Sequence, residues 1–197
     1  MLDVLIIGGG AAGFGCALTL ASVEDKFAWA KDREYLIIDD NNSDITKARF
    51  YNLAGVDFGI GGVELLEKMK TQLSNYNSVE FKNDKVVKIV DIDGGFEVST
   101  KTSNYQAKIV VIATGMHSFD IECNGVEVLA HNDILKPNKI CLKNSNNKIR
   151  DGLYVVGLAS GAKTMFAIAN GEGAKVACDI FKEWTAKPMV AHDSIKN

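Results

Sequence analysis

Three glycines near the start of the chain have a spacing that can bind phosphate. Gly8, Gly10 and Gly13 lie in the run Gly-Gly-Gly-Ala-Ala-Gly, which fits G-x-G-x-x-G. The first glycine permits a tight turn out of a strand, the second lets a pyrophosphate approach the backbone, and the third lets the next helix pack against the strand. Ala11 and Ala12 keep this surface small and uncharged, so backbone N–H groups at the helix N-terminus would bind the phosphates. The run therefore predicts a dinucleotide site.

Two carboxylates provide a second signal for the same site. The apolar run 35–38 ends in Asp39 and Asp40. An acidic side chain at this place can hold the two ribose hydroxyls of an adenosine. The interval from Gly13 to Asp39 exceeds the typical ~20 residues. We assign the excess to residues 22–34, as an extended helix end or a loop.

Composition and charge describe an ordinary soluble globular protein. The chain has 197 residues, of which 47% are hydrophobic and 24% charged, and its formal net charge is −3. This charge gives no reason to expect nucleic acid or an anionic membrane as a partner. No apolar run approaches the ~20 residues of a membrane helix. The first apolar run also lacks the basic region of a signal peptide, so we expect a cytoplasmic protein.

The cysteines show no metal-ligand or redox spacing. Cys16, Cys123, Cys141 and Cys178 are scattered and contain no C-x-x-C, which suggests free thiols in a reducing compartment. We expect Cys16 and Cys178 to lie on helix faces in the core. For Cys123 and Cys141 an inert role is favoured, but reactivity stays open.

The histidines show no catalytic or metal-binding pattern. His117, His131 and His192 pair with no recognisable base or metal ligand, so we predict no metal site. Of the three, His117 alone follows a strand whose end would lie near the dinucleotide. A surface position is the favoured interpretation for it.

The elements that must position these residues begin as strand, turn and helix. We predict a buried strand over 4–7 and helices over 14–21, 63–73 and about 165–184. The remaining patterns predict strands over 79–81, 85–90, 96–100 and 109–112 and within 151–157, with a hairpin turn at 93–95.

The segment 84–112 distinguishes two kinds of dinucleotide domain. A nicotinamide-type half would continue as strand, helix and strand. Here a strand, a hairpin and a strand leave no room for a crossover helix. A β-meander that leads to a buried strand ending in Ala113-Thr114-Gly115 indicates a flavin-adenine dinucleotide (FAD) domain. The predicted fold class is α/β: a single Rossmann-like FAD-binding domain over 1–197, with a parallel sheet and a β-meander crossover.

Three patterns in order resemble the FAD domain of the thioredoxin-reductase-like flavoproteins. They are the glycine fingerprint at 8–13, Ala-Thr-Gly at 113–115, and Asp-Gly-Leu-Tyr-Val-Val-Gly at 151–157. The loop and helix start within 52–65 and the last helix, with its Gly-x-Gly, are also similar to that family. The resemblance covers nearly the whole chain.

Two departures from the family pattern affect what the resemblance implies. Full reductases insert an NAD(P)H domain after the Ala-Thr-Gly strand, with a second glycine fingerprint and usually a C-x-x-C. Here the short connection 116–150 replaces it, so the chain is similar to short proteins built on the FAD domain alone. Leu158 stands where the family normally has an Asp that holds a ribityl hydroxyl. Losing one such hydrogen bond costs about 1–1.5 kcal/mol, or roughly tenfold in affinity.

The resemblance assigns a set of cofactor-binding residues. Pyrophosphate would lie at the glycine run, ribose at Asp39, and adenine at the backbone of Val86 or Val87. The start of the last helix would face the flavin pyrimidine ring, where its dipole stabilises negative charge. The full predicted set is Gly8, Gly10, Ala11, Ala12, Gly13, Asp39, Asp40, Val86, Val87, Ala113, Thr114, Gly115, Gly157, Leu158, Met165 and Phe166.

The functional hypothesis is an FAD-dependent oxidoreductase without disulfide-reductase cysteines. It would relay electrons between an external donor and an unknown substrate, which is a small molecule or a protein. The alternative is a non-catalytic flavin-binding subunit or redox sensor. An NAD(P)-binding Rossmann protein is a third hypothesis, which the meander argues against. No residue is assigned as catalytic, and a homodimer stays open because relatives of this fold pair through the FAD domain.

Overall fold

A mixed β-sheet with helices on one face forms the framework of the computed structural model, which describes residues 1–189 and 191–192. The strands are β1 Leu2–Ile7, β2 Tyr35–Asp39, β3 Arg49–Phe50, β4 Ile60–Gly61, β5 Val79–Asn83, β6 Val86–Ile92, β7 Gly95–Thr100, β8 Asn104–Ile112, β9 Glu122–Cys123, β10 Val128–Ala130, β11 Ile140–Leu142, β12 Lys148–Arg150 and β13 Leu153–Val155. The α-helices are α1 Ala11–Ala21, α2 Gly62–Leu73 and α3 Phe166–Thr185, and short 3-10 helices cover Asp44–Lys47 and Gly157–Ser160.

The main sheet has the order β5-β2-β1-β8-β7-β6-β9, and β12 and β13 extend it beside β8. β1 pairs in parallel with β2 and β8, and β2 pairs in parallel with β5. β6, β7 and β8 follow one another as antiparallel neighbours, with Gly94 at φ +77° in the turn between β6 and β7. The predicted parallel sheet, hairpin and β-meander are therefore confirmed.

The carboxyl ends of five parallel strands meet at one edge of this sheet. The second half of β8 pairs in parallel with β13, while its first half pairs with β7. At this edge the order is thus β5, β2, β1, β8 and β13. Ligands of open α/β sheets bind at such an edge, so the fold places a candidate site there.

Alternating residues of β1 enter hydrophobic clusters on both faces of the sheet. Val4 and Ile6 pack under the helices, and Leu5 and Ile7 pack on the opposite face. A strand buried on both faces is a near-continuous apolar run, which the sequence of β1 shows. β1 therefore anchors the glycine turn that follows it in the middle of the core.

Helix α3 approaches α1 closely because glycines remove side chains from the contact. A Cβ on Gly173 would lie 2.0 Å from the carbonyl oxygen of Ala12, and one on Gly15 would lie 2.2 Å from that of Asn170. Gly173, in the Gly-x-Gly of the last helix, therefore permits the close approach of the two backbones. At Gly171 a Cβ would meet nothing within 4 Å.

The structure differs from the sequence predictions at the start of α1. The helix begins at Ala11, three residues before the predicted start at 14, because the chain already turns at Gly8 and Gly10 is the N-cap. The alanines of the fingerprint are therefore the first helical residues. Residues 22–34 form turns, which confirms the predicted loop.

The connection 116–150 packs onto the same sheet. β9 pairs in parallel with β6, and β10 pairs with β11 as a hairpin. That residues 1–197 form one FAD domain, with 116–150 in place of a relative's second domain, stays a prediction. Within the described residues, no helix is long and apolar enough to cross a membrane.

Candidate functional site

A cavity of about 490 Å³ lies at the carboxyl ends of β2, β1, β8 and β13. This volume is within the range of small-molecule and cofactor sites, about 300–1,000 Å³. All the predicted cofactor-binding residues except Gly13 and Val87 line it. Those that do are Gly8, Gly10, Ala11, Ala12, Asp39, Asp40, Val86, Ala113, Thr114, Gly115, Gly157, Leu158, Met165 and Phe166.

The turn after β1 needs glycine at two positions for different reasons. Gly8 has φ +112°, and a Cβ there would lie 2.4 Å from the carbonyl oxygen of Ala113. A Cβ on Gly13 would lie 1.9 Å from the carbonyl oxygen of Gly8. Gly13 therefore packs against the back of the turn, as its spacing predicts, rather than lining the cavity.

The two residues of the Val86–Val87 pair point to opposite faces of β6. Val86 is buried and lines the cavity, whereas Val87 is exposed. Successive side chains of a strand alternate between faces, so one of the two had to point away. Of the pair, Val86 is thus the residue that lines the cavity, and the contact of its backbone or that of Val87 with adenine stays a prediction.

Two helices begin at the cavity with open N-termini. The N-cap of α1 is Gly10 and that of α3 is Met165, and within the described residues no side chain caps either helix. Neither first turn contains an acidic residue. The first N–H groups of both helices and the positive ends of their dipoles are thus available to an anionic ligand.

Asp39 is held in place by the glycine turn. Its Oδ1 accepts a hydrogen bond from the Gly9 N–H at 2.7 Å, and its Oδ2 accepts one from the Asn41 N–H at 3.2 Å. A carboxylate has about four lone-pair sites, so both oxygens can still accept from a ligand hydroxyl. Asp40 is exposed, and its Oδ1 accepts from the Asn42 N–H at 3.1 Å. The carboxylate anchored to the glycine turn is therefore that of Asp39.

The cavity is also lined by three segments that are absent from the predicted cofactor-binding set. They fall within 42–50, 84–85 and 117–121. The first contains Phe50, whose ring packs edge-on against Phe166 with centroids 5.5 Å apart. One available signal was that 42–50 and 117–121 come soon after the ends of parallel strands, since such ends meet at one edge.

His117 joins two of these segments at the cavity. Its Nε2 lies 2.5 Å from Oδ2 of Asp44, and its Nδ1 lies 2.8 Å from Nζ of Lys139. A lysine ammonium only donates, so Nδ1 accepts and Nε2–H donates to Asp44. The side chain is 53% exposed, which confirms a surface position. His131, by contrast, is buried, which its polar sequence neighbours did not indicate.

Two polar side chains in the cavity wall differ in their hydrogen bonding. Oγ1 of Thr114 is buried without a hydrogen-bond partner among the described residues. Asp84 accepts from the Lys85 N–H and from the Thr102 hydroxyl. Hydrogen bonds from Thr100 and Thr102 lower the pKa of Asp84 to about 2. A polar ligand in the cavity could supply the hydrogen-bond partner that the Thr114 hydroxyl lacks among the described residues.

The cysteines are not activated. Burial raises the pKa of the Cys123 and Cys141 thiols and, most strongly, that of Cys16. A raised pKa lowers the thiolate fraction at neutral pH, and the thiolate is the reactive form. Cys16 is fully buried as predicted, whereas Cys178 is only partly buried. In the part of the chain that the structure describes, none of them lines the cavity, and no group of His, Cys, Asp and Glu could hold a metal ion.

Comparisons with known structures agree with this fold. A thioredoxin reductase from Gloeobacter violaceus superposes with a TM-score of 0.79 over 98% of this chain and 99% of that chain, at 15% identity. A Lactococcus lactis thioredoxin reductase gives 0.70 over 95% and 100%, also at 15% identity. These likenesses confirm the Rossmann-like fold that the resemblance implied.

A sequence comparison identifies the family. A curated relative, the ferredoxin–NADP reductase of Lactococcus lactis subsp. cremoris (strain SK11), is 26% identical over 158 residues, which are 77% of this chain and 41% of the relative. The chain thus spans about two fifths of that protein's length. The family model described as pyridine nucleotide-disulphide oxidoreductase matches residues 2–157. The chain therefore belongs to the pyridine nucleotide-disulphide oxidoreductase family, a family of flavin-dependent oxidoreductases.

Proposed function

We propose that this protein binds FAD in the cavity and uses it as an oxidoreductase that takes electrons from an external donor. The observation that carries the proposal is that one cavity contains the glycine turn, Asp39 and the start of α3. These are the groups expected to bind the pyrophosphate, the adenosine ribose and the flavin ring. Their meeting in one space supports a flavin dinucleotide as the ligand.

The chemical character of the walls supports FAD over a flavin mononucleotide. Asp39 and Val86 belong to the side of the cavity formed by β2 and β6, where they would hold ribose and adenine. Phe50, Met165 and Phe166 also line the cavity and offer an apolar surface for a ring system. A mononucleotide would leave the adenosine groups unused. The full set of contacts therefore favours the dinucleotide.

The residues present fit the phosphate part of the cofactor as well. The N-termini of α1 and α3 lack side-chain caps among the described residues, and Gly10 has room for close approach of a phosphate. Leu158 lines the cavity with an apolar side chain, so it supplies no hydrogen bond to a ribityl hydroxyl. This lowers the expected affinity by roughly tenfold but leaves the other contacts in place.

The protein's own groups would orient the cofactor and adjust its electrostatics. FAD supplies the hydride and electron chemistry when it is bound. The N–H groups and dipole at the start of α3 would stabilise negative charge on the ring. The cysteines have raised pKa values and lie outside the cavity lining, which supports electron transfer without a disulfide relay.

The donor and the acceptor are proposed to be separate molecules. The relative is named as a ferredoxin–NADP reductase, and this chain matches 41% of it. We therefore place NADPH, NADH and reduced ferredoxin first among candidate donors. Cytoplasmic location and a homodimer remain predictions of the same proposal.

A second candidate function is a flavin-binding subunit or redox sensor that does not turn over alone. The lack of an activated thiol at the cavity favours it. Turnover distinguishes the two functions: an oxidoreductase reduces an artificial acceptor such as ferricyanide with NADPH, NADH or reduced ferredoxin, whereas a sensor does not.

The test of the binding proposal is a fluorescence titration of cofactor-free protein with FAD, FMN and ADP. We expect FAD to bind more tightly than FMN, and ADP to compete with FAD because it occupies the adenosine and pyrophosphate groups. Equal affinities for FAD and FMN, together with no competition by ADP, would show that Asp39 and the glycine turn do not bind the cofactor.

A further inference from the structure

A carboxylate outside the cavity holds part of the cavity wall. Oε2 of Glu172, on α3, accepts hydrogen bonds from the Gly157 N–H at 2.9 Å, from the Ser160 hydroxyl at 2.6 Å and from the Asn147 side-chain amide at 3.2 Å. Glu172 itself does not line the cavity, whereas Gly157 does. The contact therefore connects α3 to the 3-10 helix Gly157–Ser160 from behind.

The position of Gly157 is critical for the shape of the cavity. It has φ +70°, and a Cβ there would lie 2.8 Å from the Cβ of Ala12 and 3.6 Å from that of Ala169. Gly157 is thus wedged between the first turn of α1 and α3. A small shift of this residue would move the backbone toward or away from the phosphate-binding helix end.

Asn147 extends the same network to the connection between β11 and β12. It is buried, and its side-chain amide also donates to the carbonyl oxygen of Val155 at 3.0 Å. Its Oδ1 accepts from Nζ of Lys175, again on α3, at 3.2 Å. The turn at Asn147 and β13 are therefore held to the helix by the same group of side chains.

Helix α3 also contacts the start of α1, which would face the phosphates of the cofactor. The side-chain amide of Asn170 donates to the carbonyl oxygen of Ala11, the first residue of α1, at 3.0 Å. Two residues apart on one helix, Asn170 and Glu172 thus fix the start of α1 and the turn at Gly157. The width of the cavity between these two walls depends on both contacts.

We infer that Glu172 is a positioning residue for the cofactor: its carboxylate holds the Gly157 turn at the distance from α1 that FAD requires. Hydrogen bonds to a charged acceptor are roughly twice as strong as neutral ones. The Glu172 carboxylate accepts such a bond from the backbone N–H of Gly157, a residue with a positive φ. The inference rests on the proposed function, since it presumes that FAD occupies the cavity.

The experiment compares Glu172→Ala, Glu172→Gln and Asp179→Asn with the wild type by titration with FAD. The alanine removes the acceptor, while the glutamine keeps an acceptor oxygen. Asp179 is the matched control, because it lies on the same helix and pairs with Lys175 at 2.9 Å without contacting the Gly157 turn.

We expect the Kd for FAD to rise about tenfold or more in Glu172→Ala and by no more than about threefold in Glu172→Gln. The reason is that removing a charged acceptor costs more binding free energy than replacing it with a neutral acceptor. Asp179→Asn should match the wild type.

A second readout separates positioning from general stability. Amide hydrogen exchange should be faster at residues 157–160 in Glu172→Ala but unchanged in β1, and the visible circular dichroism of bound FAD should change in the alanine variant and return toward wild type in the glutamine variant. An equal Kd for FAD in Glu172→Ala and wild type would overturn the inference. So would a glutamine variant as weak as the alanine variant.

Two further results would also be informative: a Glu172→Ala variant that does not fold, and a wild-type protein that binds no FAD. If Glu172→Ala does not fold, Ser160→Ala carries the test, because it removes one hydroxyl of the same network; a raised Kd supports the inference and a wild-type Kd overturns it. If the wild-type protein binds no FAD, the proposed function fails. Hydrogen exchange at residues 157–160 then still shows whether Glu172 holds the turn.

Discussion

Replacing Gly13 by alanine tests the contact between α1 and the glycine turn. The new Cβ would lie 1.9 Å from the carbonyl oxygen of Gly8, whereas ordinary contact begins at 3.4 Å. Both groups are backbone-bound, so α1 must move rather than a flexible side chain. Overpacking of this kind costs about 1–3 kcal/mol, and we expect the upper end because the turn cannot give way. The helix gains about 1 kcal/mol when alanine replaces glycine, which leaves a net loss of about 2 kcal/mol.

The matched control is Gly171→Ala, also a glycine inside a helix. A Cβ there meets nothing within 4 Å. This variant should therefore gain about 1 kcal/mol from helix propensity alone. In thermal unfolding we expect Gly13→Ala to lower Tm by about 4–8 °C and Gly171→Ala to raise it by about 2–4 °C. Affinity for FAD should fall only in Gly13→Ala. Equal stabilities of the two variants would refute the packing argument.

Two residues of the cavity wall and two thiols outside it provide three further tests. Asp39→Asn keeps an oxygen that accepts from the Gly9 N–H. It should weaken FAD binding about tenfold but leave FMN binding unchanged, as measured by titration, because FMN lacks the adenosine ribose. The pKa of Asp84 is lowered from 3.8 to about 2, so its stabilisation is present above pH 3.8 and lost as the pH falls toward 2. The difference in Tm between the wild type and Asp84→Asn should therefore narrow over that interval; a constant difference would contradict the assignment. Burial raises the pKa of the Cys123 and Cys141 thiols, so their reaction rate with a disulfide reagent should keep rising above the pH range of an ordinary thiol.

The parts of the fold set by local spacing could be predicted from the sequence. The turn at Gly8 needs a positive φ, and Gly13 must lack a side chain, so the fingerprint specifies both the turn and the helix contact. The β-meander was predictable because strand patterns and a hairpin turn fill residues 84–112 and leave no room for a crossover helix. The start of α1 was placed too late because Ala11 and Ala12 give no capping signal.

The contacts that complete the cavity could not be predicted in this way. His117 meets Asp44 across 73 positions of the chain, and Glu172 meets Gly157 across 15. Such pairs depend on how the sheet and α3 are placed, which local patterns do not encode. Which of Val86 and Val87 lines the cavity could be read only once the register of β6 was known.

The most direct test of FAD binding is the visible absorption spectrum of the purified protein, recorded before and after heat release of its bound cofactor. If the cavity binds FAD, we expect a flavin band and FAD in the supernatant, either as purified or after incubation with FAD. A colourless protein that also takes up no added FAD would contradict it, and the cavity would then not be a flavin site.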